Sequence, residues 1–204
     1  MASEWFPKPS FFTFVLMNKS ELRKLASARR KSLDSETLTY LNRQLLAAFS
    51  ELDFLNIHVL HIFLPIAEKI EPDTYPVISW LKHHHPHIKI LVPKADFQTA
   101  LMTHHEWSDL EDLEKSAFNI PEPRSGKAYQ GPIDMVIVPL LAFDLRGYRV
   151  GYGKGFYDRF LTGMHTLKIG LSFFEAIDEI SDADNLDVRL DLCITPEKLY
   201  RFNL

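Results

Sequence analysis

The sequence predicts a three-layer α/β domain built from short strands and amphipathic helices. Apolar, β-branched runs of strand length alternate along the chain with stretches of helical periodicity, an order typical of sheets covered by helices. Residues 57–92 follow the order strand, helix, strand, which indicates a parallel βαβ unit. The run Ile133–Leu141 is the most hydrophobic of the chain, as in a strand buried on both faces. We expect about five or six strands.

The first half of the chain predicts two helices and then the βαβ unit. A helix begins near Met17 and ends near Leu33, because Leu22, Leu25 and Ala26 form an apolar stripe beside a row of cations. Asp34 or Ser35 then caps a second helix that ends near residue 51. The following elements are a strand over Ile57–Leu64, a helix over Thr74–His84, and a strand over Ile88–Val92 that Pro93 ends.

The second half of the chain predicts four strands, a turn and a short helix. Prolines and glycines between residues 94 and 132 mark loops around one strand near Thr99–Thr103. The remaining predictions are the strand Ile133–Leu141, a turn over Phe143–Gly147, a helix that starts over Phe156–Leu161, a strand over Lys168–Phe173 and a last strand over Arg189–Thr195.

Length and composition bound the function classes. The 204 residues suit one domain, which we expect over residues 17–204, with residues 1–16 as a disordered N-terminal extension. Lysine and arginine number 23 against 27 acidic residues, so no overall basic field attracts nucleic acid or a membrane surface. A polyanionic ligand must be held by a local cluster of cations and backbone donors.

The single cysteine and the absence of long apolar runs indicate the compartment. Cys193 has no partner for an intramolecular disulfide, and its neighbours Leu192 and Ile194 predict a buried packing role. No apolar stretch approaches the ~20 residues of a membrane helix. We therefore expect a cytoplasmic protein, and we also expect a monomer.

The glycine-rich segment GYRVGYGKGFYDR at 147–159 is the strongest functional motif. Alternate glycines allow successive backbone amides to approach an anion, and Lys154 and Arg149 add positive charge, so the segment favours phosphate. Asp158 can hold a divalent cation that bridges phosphates. The glycine spacing is neither that of a Walker A loop nor that of a dinucleotide fingerprint. The alternative is a glycine-rich hairpin between two buried elements.

This motif and three others together resemble one known family. PLLAFD at 139–144, Gly147 and RVGYGKGFYDR at 149–159 are similar to the signature of the 5-formyltetrahydrofolate cyclo-ligase family. Further matches, in the family's order, are KSELR at 19–23, EPDT at 71–74 and DVRLD at 187–191. The resemblance implies a single domain with a mostly parallel central sheet flanked by helices.

Carried over by position, the resemblance also implies the roles of individual residues. The magnesium ligands would be Asp158 and Asp187. The catalytic residues would be Lys154, Arg149 and Tyr157. The ATP-binding residues would be Lys19, Ser20, Glu21, Leu22, Arg23, Arg149, Val150, Gly151, Tyr152, Gly153, Lys154, Gly155, Phe156 and Tyr157. The folate-binding residues would be Glu71, Tyr152, Gly153, Lys154, Gly155 and Phe156. The sequence departs from the family at Phe156, often tyrosine, and at Pro72, usually aliphatic.

The reaction implied is the ATP- and Mg²⁺-dependent closure of 5-formyltetrahydrofolate to 5,10-methenyltetrahydrofolate, with release of ADP and phosphate. An inactive folate- or nucleotide-binding protein of the same fold is the alternative, although Arg149, Lys154 and Asp158 are all retained. A third interpretation, a sugar-phosphate or coenzyme A enzyme, would explain the glycine-rich loop. It would not explain why Lys19 and Arg23 occur together with Glu71 and Asp158. Individually, Lys19 and Arg23 could be solubilising cations, and Glu71 and Asp73 could cap the helix that begins near Thr74.

Overall fold

The computed structural model of the protein describes residues 16–107, 113–116, 119–124 and 126–202. Nearly all of the predicted N-terminal extension, residues 1–15, lies outside the described residues, as does most of the acidic stretch at 109–114. The domain limits of 17–204 and the disorder of the extension stay predictions.

The helices begin and end close to the predicted residues. They are α1 (Lys19–Lys31), α2 (Ser35–Ser50), α3 (Tyr75–His84) and α4 (Phe156–Leu161), with a short 3-10 helix at Ala67–Lys69. The strands are β1 (Val59–Ile62), β2 (Lys89–Asp96), β3 (Leu101–Glu106), β4 (Leu113–Lys115), β5 (Pro121–Pro123), β6 (Met135–Pro139), β7 (Ala142–Phe143), β8 (Arg149–Val150), β9 (Leu167–Leu171), β10 (Leu192–Ile194) and β11 (Leu199–Arg201).

Side-chain caps fix the starts of the first two helices. Asp34 caps α2 as predicted, because its side chain accepts a hydrogen bond from the backbone N–H of Thr37. Asn18 caps α1 in a capping box, in which its side chain and that of Glu21 each accept from the other's backbone N–H. Each cap joins residues only three positions apart in the sequence, which explains why these boundaries were predictable.

Seven strands form one sheet in the order β11-β10-β9-β6-β1-β2-β3. The five central strands are parallel, and the two edge strands β3 and β11 are antiparallel to their neighbours. The predicted α/β class and βαβ unit are confirmed. The predictions of five or six strands and of a last strand at Arg189–Thr195 were wrong, because β11 follows β10 and adds an edge strand.

Pro93 does not end its strand, contrary to the prediction. The Trp107 N–H donates to Ile90 O, so the backbone polar groups of Ile90 point toward β3. Because backbone groups alternate along a strand, those of Leu91 and Pro93 point toward β1. Pairing with β1 stops at Leu91, and the missing N–H of Pro93 therefore breaks no ladder bond. β2 continues to Asp96 by pairing with β3 alone.

The sheet is covered on both faces. On one face, α2 and α3 pack through Phe49 and Leu81 against residues such as Ile137. On the other face, α4 and the β7–β8 hairpin pack through a second cluster that includes Cys193, which is fully buried as predicted. Within the described ranges, no helix combines the length and the apolar character that a membrane span requires.

The order of the strands creates a crevice at one edge of the sheet. From β1 the chain moves outward through α3 to β2, whereas β6, β9 and β10 lie on the opposite side of β1. The direction of winding therefore reverses between β1 and β6. Ligands of open α/β sheets bind outside the carboxyl ends of the strands at such a reversal.

We predict that Gly170→Ala destabilises the fold, because β9 lies too close to its neighbours for a side chain. A Cβ on Gly170 would lie 2.5 Å from Leu140 Cδ2 and 2.9 Å from Leu190 Cδ1. Overpacking of this kind costs about 1–3 kcal/mol in the free energy of unfolding. Gly151→Ala is the matched control, since a Cβ there meets nothing within 4 Å. Urea denaturation that finds equal stabilities for the two variants would contradict this account.

Candidate active site

A cavity of about 610 Å³ opens at the reversal between β1 and β6. This volume lies within the usual range for small-ligand sites. The residues that follow β1 and end β6, namely Phe63, Leu64 and Pro139, form part of its wall. The remaining wall comprises Lys19, Arg23, Ile66, Lys69, Glu71, Pro93, Ala95, Phe97, Met102, Ile120, Glu122, Arg149, Gly151, Tyr152, Gly153, Lys154, Gly155, Phe156, Tyr157, Asp158 and Asp187.

Two cation–carboxylate pairs line the side of the cavity nearest β6 and β10. Lys19 Nζ, from the first turn of α1, lies 2.6 Å from Asp187 Oδ2. Arg149 Nη2, from β8, lies 2.7 Å from Asp158 Oδ1. Four residues from three segments of the chain, namely the start of α1, the glycine-rich motif and the stretch before β10, therefore lie in one charged wall.

Arg149 connects three segments of this wall. Its guanidinium is only 6% exposed and donates both to Asp158 and to the backbone O of Val188. The backbone N–H of Val188 donates back to Asp158 Oδ1 at 3.1 Å. Burial lowers the pKa of Arg149, and the charge of Asp158 opposes that shift. The bonds bring Asp158 beside the chain segment that carries Asp187.

The turn before β8 is built around a buried aspartate. Asp144 is fully buried, and its two oxygens accept five hydrogen bonds, from the backbone and side chain of Arg146 and from the backbones of Tyr148 and Ile180. The turn predicted over Phe143–Gly147 is confirmed. It fixes the hairpin that delivers Arg149 to the cavity.

The glycine-rich loop is held between two arginines. Arg23 Nε donates to Gly151 O at 2.9 Å, and Arg159 donates to Lys154 O and to Ala100 O. Gly153 and Gly155 have φ values of +85° and +67°, which side-chain-bearing residues rarely adopt. A Cβ on Gly155 would also lie 2.8 Å from Arg159 Nη1. The loop therefore needs glycine at both positions, and Lys154 between them stays exposed.

Glu71 is buried and bound to this loop. Its carboxylate accepts from Ile66 N at 2.7 Å and from the Tyr152 hydroxyl at 2.8 Å. Burial raises the pKa of Glu71, and these two hydrogen bonds act in the opposite direction. The alternative that Glu71 caps α3 is wrong; Asp73 serves the start of α3 by accepting from Tyr75 N at 3.0 Å. The Pro72 departure leaves the Glu71 carboxylate in the cavity wall.

The side of the cavity nearest β2 and β3 is mostly apolar. Phe97 from the β2–β3 turn packs edge-on against Phe156, with ring centroids 5.1 Å apart. Phe156 thus has a hydrophobic partner where the family often has tyrosine. Phe63, Leu64 and Met102 extend this apolar wall. The cavity therefore presents a charged wall and an apolar wall to the same ligand space.

Tyr157 lies between the cavity and the sheet. Its hydroxyl is buried and has no hydrogen-bond partner among the described residues. Behind it, the ring of His61 on β1 lies 6.0 Å from the Tyr157 ring and 5.1 Å from that of Phe160. Burial lowers the pKa of His61 and raises that of Tyr157, so both side chains are held neutral.

Four of the predicted ATP-binding residues do not line the cavity. Leu22 and Val150 are buried and pack together with Ile180, which attaches α1 to the β7–β8 hairpin. Ser20 and Glu21 are exposed, and Glu21 completes the capping box of α1. Contact of these four residues with ATP stays a prediction. In the structure, Leu22 and Val150 attach α1 to the hairpin, and Glu21 helps to fix the start of the helix.

Arg30 and Arg159 were missed by the sequence analysis. The signal for Arg30 was available, because it follows Lys19 by 11 residues, a rotation of only about 20° on an ideal helix. Lys19, Arg23 and Arg30 therefore share one face of α1. Arg159 ends the matched motif at 149–159, but nothing in that motif indicates its partner, because Ala100 lies in a distant turn.

Asp158 and Asp187 form a donor set that fits magnesium brought in by a ligand. Among the residues that the structure describes, no group of three or more His, Cys, Asp or Glu side chains forms a metal cluster. Mg²⁺ usually binds through one or two carboxylates together with substrate phosphates and water. Two carboxylates beside a cationic loop match that pattern, whereas a resident site made wholly of protein ligands does not.

Comparison with known proteins supports the same family. A model of the 5-formyltetrahydrofolate cyclo-ligase family matches residues 15–196. The 5-formyltetrahydrofolate cyclo-ligase of Escherichia coli K12 is 28% identical over 71% of this chain and 81% of its own. A relative of that name from Mycoplasma genitalium is 44% identical, and the match spans 30% of this chain and 38% of the relative.

A solved structure shares the fold. The 5,10-methenyltetrahydrofolate synthetase of Aquifex aeolicus superposes with a TM-score of 0.75 at 29% identity, covering 90% of this chain and 92% of that one. The mostly parallel sheet, the glycine-rich loop and the family match from residue 15 to residue 196 agree. The chain therefore belongs to the 5-formyltetrahydrofolate cyclo-ligase family, and cyclo-ligase activity is the function that this membership supports.

Proposed function

We propose that the protein converts 5-formyltetrahydrofolate to 5,10-methenyltetrahydrofolate and consumes ATP with Mg²⁺, releasing ADP and phosphate. One observation carries this proposal: a single cavity is lined both by a wall of cations and carboxylates and by an apolar wall. The first wall suits a triphosphate, and the second suits the rings of a reduced folate. Transfer between two substrates requires that both fit one space, since reacting atoms must come within about 3–3.5 Å.

The chemistry requires activation of an amide oxygen. The formyl oxygen of the folate attacks the γ-phosphorus of ATP, and the bond from that phosphorus to the β-bridging oxygen breaks to release ADP. N10 then attacks the activated carbon and loses its proton. The carbon–oxygen bond breaks, phosphate leaves, and the five-membered ring closes. No protein nucleophile is needed.

The cations of the cavity would neutralise the charge that moves during phosphoryl transfer. Arg149 is buried and fixed by its bonds to Asp158 and Val188, so it offers a charge that needs no reorganisation. Lys154 is exposed between two glycines, and its flexible side chain can follow the transferred group. Lys19 and Arg23 face the same space from α1. Phosphoryl transfer depends mainly on such positioning and charge.

The apolar wall and Glu71 would hold the folate. Phe63, Leu64 and Phe97 offer aromatic and aliphatic surface to the pterin and aminobenzoyl rings. Glu71 is acceptor-only when ionised, so it can bind ring N–H groups of the pterin. Tyr157 closes the cavity toward the sheet and helps to exclude water from the activated intermediate.

Asp158 and Asp187 would hold magnesium, which would offset the negative charge of the bound phosphates. Each carboxylate now pairs with a cation. Those same cations would contact phosphate in the ternary complex, which frees carboxylate oxygen for the metal.

Purified protein given ATP, Mg²⁺ and 5-formyltetrahydrofolate is expected to produce the near-ultraviolet absorbance of methenyltetrahydrofolate. The physical reason is that the cavity contains both the cationic and the apolar wall that the two substrates need. Omission of ATP is the control and should abolish the signal. Folded protein that binds folate or ATP without producing the absorbance would instead favour the inactive binding protein.

Lys154→Ala should lower kcat by about 100-fold, the scale of loss when one donor to the transition state is removed. The thermal midpoint should change little, because Lys154 is exposed and substitutions at exposed sites are usually within about 0.5 kcal/mol. Lys24→Ala is the matched control, an exposed lysine on α1 outside the cavity wall. Loss of folding in Lys154→Ala would show that the loop lysine is structural.

Asp187→Asn should raise the Mg²⁺ concentration needed for half-maximal activity by about tenfold, equivalent to about 1.4 kcal/mol. An amide retains an oxygen but loses the negative charge that attracts the metal. The readout is a magnesium titration at saturating ATP, with Asp178→Asn as the control because Asp178 is exposed and outside the cavity wall. An unchanged magnesium requirement would remove Asp187 from the ligand set.

A further inference from the structure

A chain of hydrogen-bonded polar groups runs from α1 to Glu71, with a buried residue at each end and the partly exposed Tyr152 between them. Arg30 is 1% exposed, and its Nη1 donates to the Tyr152 hydroxyl at 3.3 Å. Tyr152 in turn donates to Glu71 Oε1 at 2.8 Å. The second oxygen of Glu71 accepts from Ile66 N at 2.7 Å. Arginine, tyrosine and glutamate from three separate segments thus form one connected network.

Arg30 is also anchored to the sheet. Its Nη2 donates to Leu140 O at 2.6 Å, directly after the carboxyl end of β6. Burying an arginine is costly unless its donors are used, so this position requires an explanation. Arg30 does not line the cavity, whereas Tyr152 and Glu71 both do. Any effect of Arg30 on a ligand must therefore pass through its partners.

We propose that Arg30 is a positioning residue for the folate subsite: it fixes the Tyr152 hydroxyl, which in turn holds the Glu71 carboxylate at one orientation in the cavity wall. This inference rests on the proposed function, because contact between Glu71 and the folate is part of it. It adds a role for α1. The first turn of that helix faces the charged wall through Lys19, and its last turn supports the folate side through Arg30.

The electrostatics of Glu71 agree with this assignment. Burial raises its pKa, and the opposing influences are the hydrogen bonds from Ile66 and Tyr152 and the charges of Arg30 and Lys69. Tyr157 also faces Glu71 from α4, and burial together with Glu71 raises the Tyr157 pKa, which keeps that neighbour neutral. Removing the Tyr152 hydroxyl or the Arg30 charge therefore moves the Glu71 pKa further upward.

The test is equilibrium binding of 5-formyltetrahydrofolate across a pH series in Tyr152→Phe, Arg30→Met and the double variant. A carboxylate with a raised pKa already becomes protonated at a higher pH as the pH falls. The acid limb of the binding profile should therefore shift to higher pH in both single variants. Affinity near neutral pH should fall about tenfold or more, as expected for a lost hydrogen bond to a charged group. The double variant should bind little more weakly than Tyr152→Phe, because Arg30 acts largely through that hydroxyl.

Controls separate positioning from general damage. Arg29→Met removes the neighbouring exposed arginine, and Tyr148→Phe removes a hydroxyl from the turn before β8; both should retain the wild-type profile. Arg30→Lys should rescue only in part, since an ammonium lacks the fork that reaches Tyr152 and Leu140 together. If Arg30→Met fails to fold, Tyr152→Phe and Arg30→Lys decide.

The outcomes distinguish the two proposals. Folded Tyr152→Phe and Arg30→Lys proteins with the wild-type affinity and pH profile would overturn the role of Arg30, while the proposed function would stand. A wild-type protein that neither binds nor converts 5-formyltetrahydrofolate would overturn the proposed function itself. A shifted acid limb in Tyr152→Phe, with partial rescue by Arg30→Lys, would establish the positioning role.

Discussion

The pair between the buried Arg149 and the partly exposed Asp158 is the interaction on which the geometry of the site depends. It joins the β7–β8 hairpin and α4, which are close in the sequence, to Val188 in the segment before β10, 30 residues after Asp158. A buried ion pair adds little net stability once desolvation is counted, but loss of one partner leaves an uncompensated charge. The pair therefore acts mainly as a constraint on position. Asp144 fixes the turn before Arg149, and Val188 is hydrogen-bonded to both members of the pair, so one arrangement of the charged wall is favoured.

The same constraint explains how a protein of net negative charge could bind the proposed anionic ligand. The net charge of −4 gives no long-range attraction for polyanions, and the cations of the site are themselves partly neutralised by Asp158 and Asp187. Selectivity then belongs to the cavity rather than to the protein surface. A ligand that brings both phosphate and a divalent cation can satisfy all four charged groups together, whereas phosphate or metal alone leaves two of them without a partner.

Local features were predictable because their causes are local. The cap at Asp34, the turn at Phe143–Gly147 and the helix that starts over Phe156–Leu161 depend on residues within a few positions of each other. The failures had longer-range causes. Pro93 was taken as the end of β2 because its missing N–H is visible in the sequence, but the place where β1 stops pairing is not. The packing of Leu22 and Val150 in one cluster with Ile180 also joins distant segments, and no local pattern indicates it.

The sequence by itself determined the α/β class, the glycine-rich motif and the family, because periodicity, glycine spacing and long motifs are properties of contiguous residues. Only the tertiary structure decided which motif residues share a cavity, that Glu71 binds Tyr152 rather than the start of α3, and that Arg30 donates to Tyr152. The physical reason is that these contacts join segments up to 122 residues apart, whose meeting is set by the strand order of the sheet.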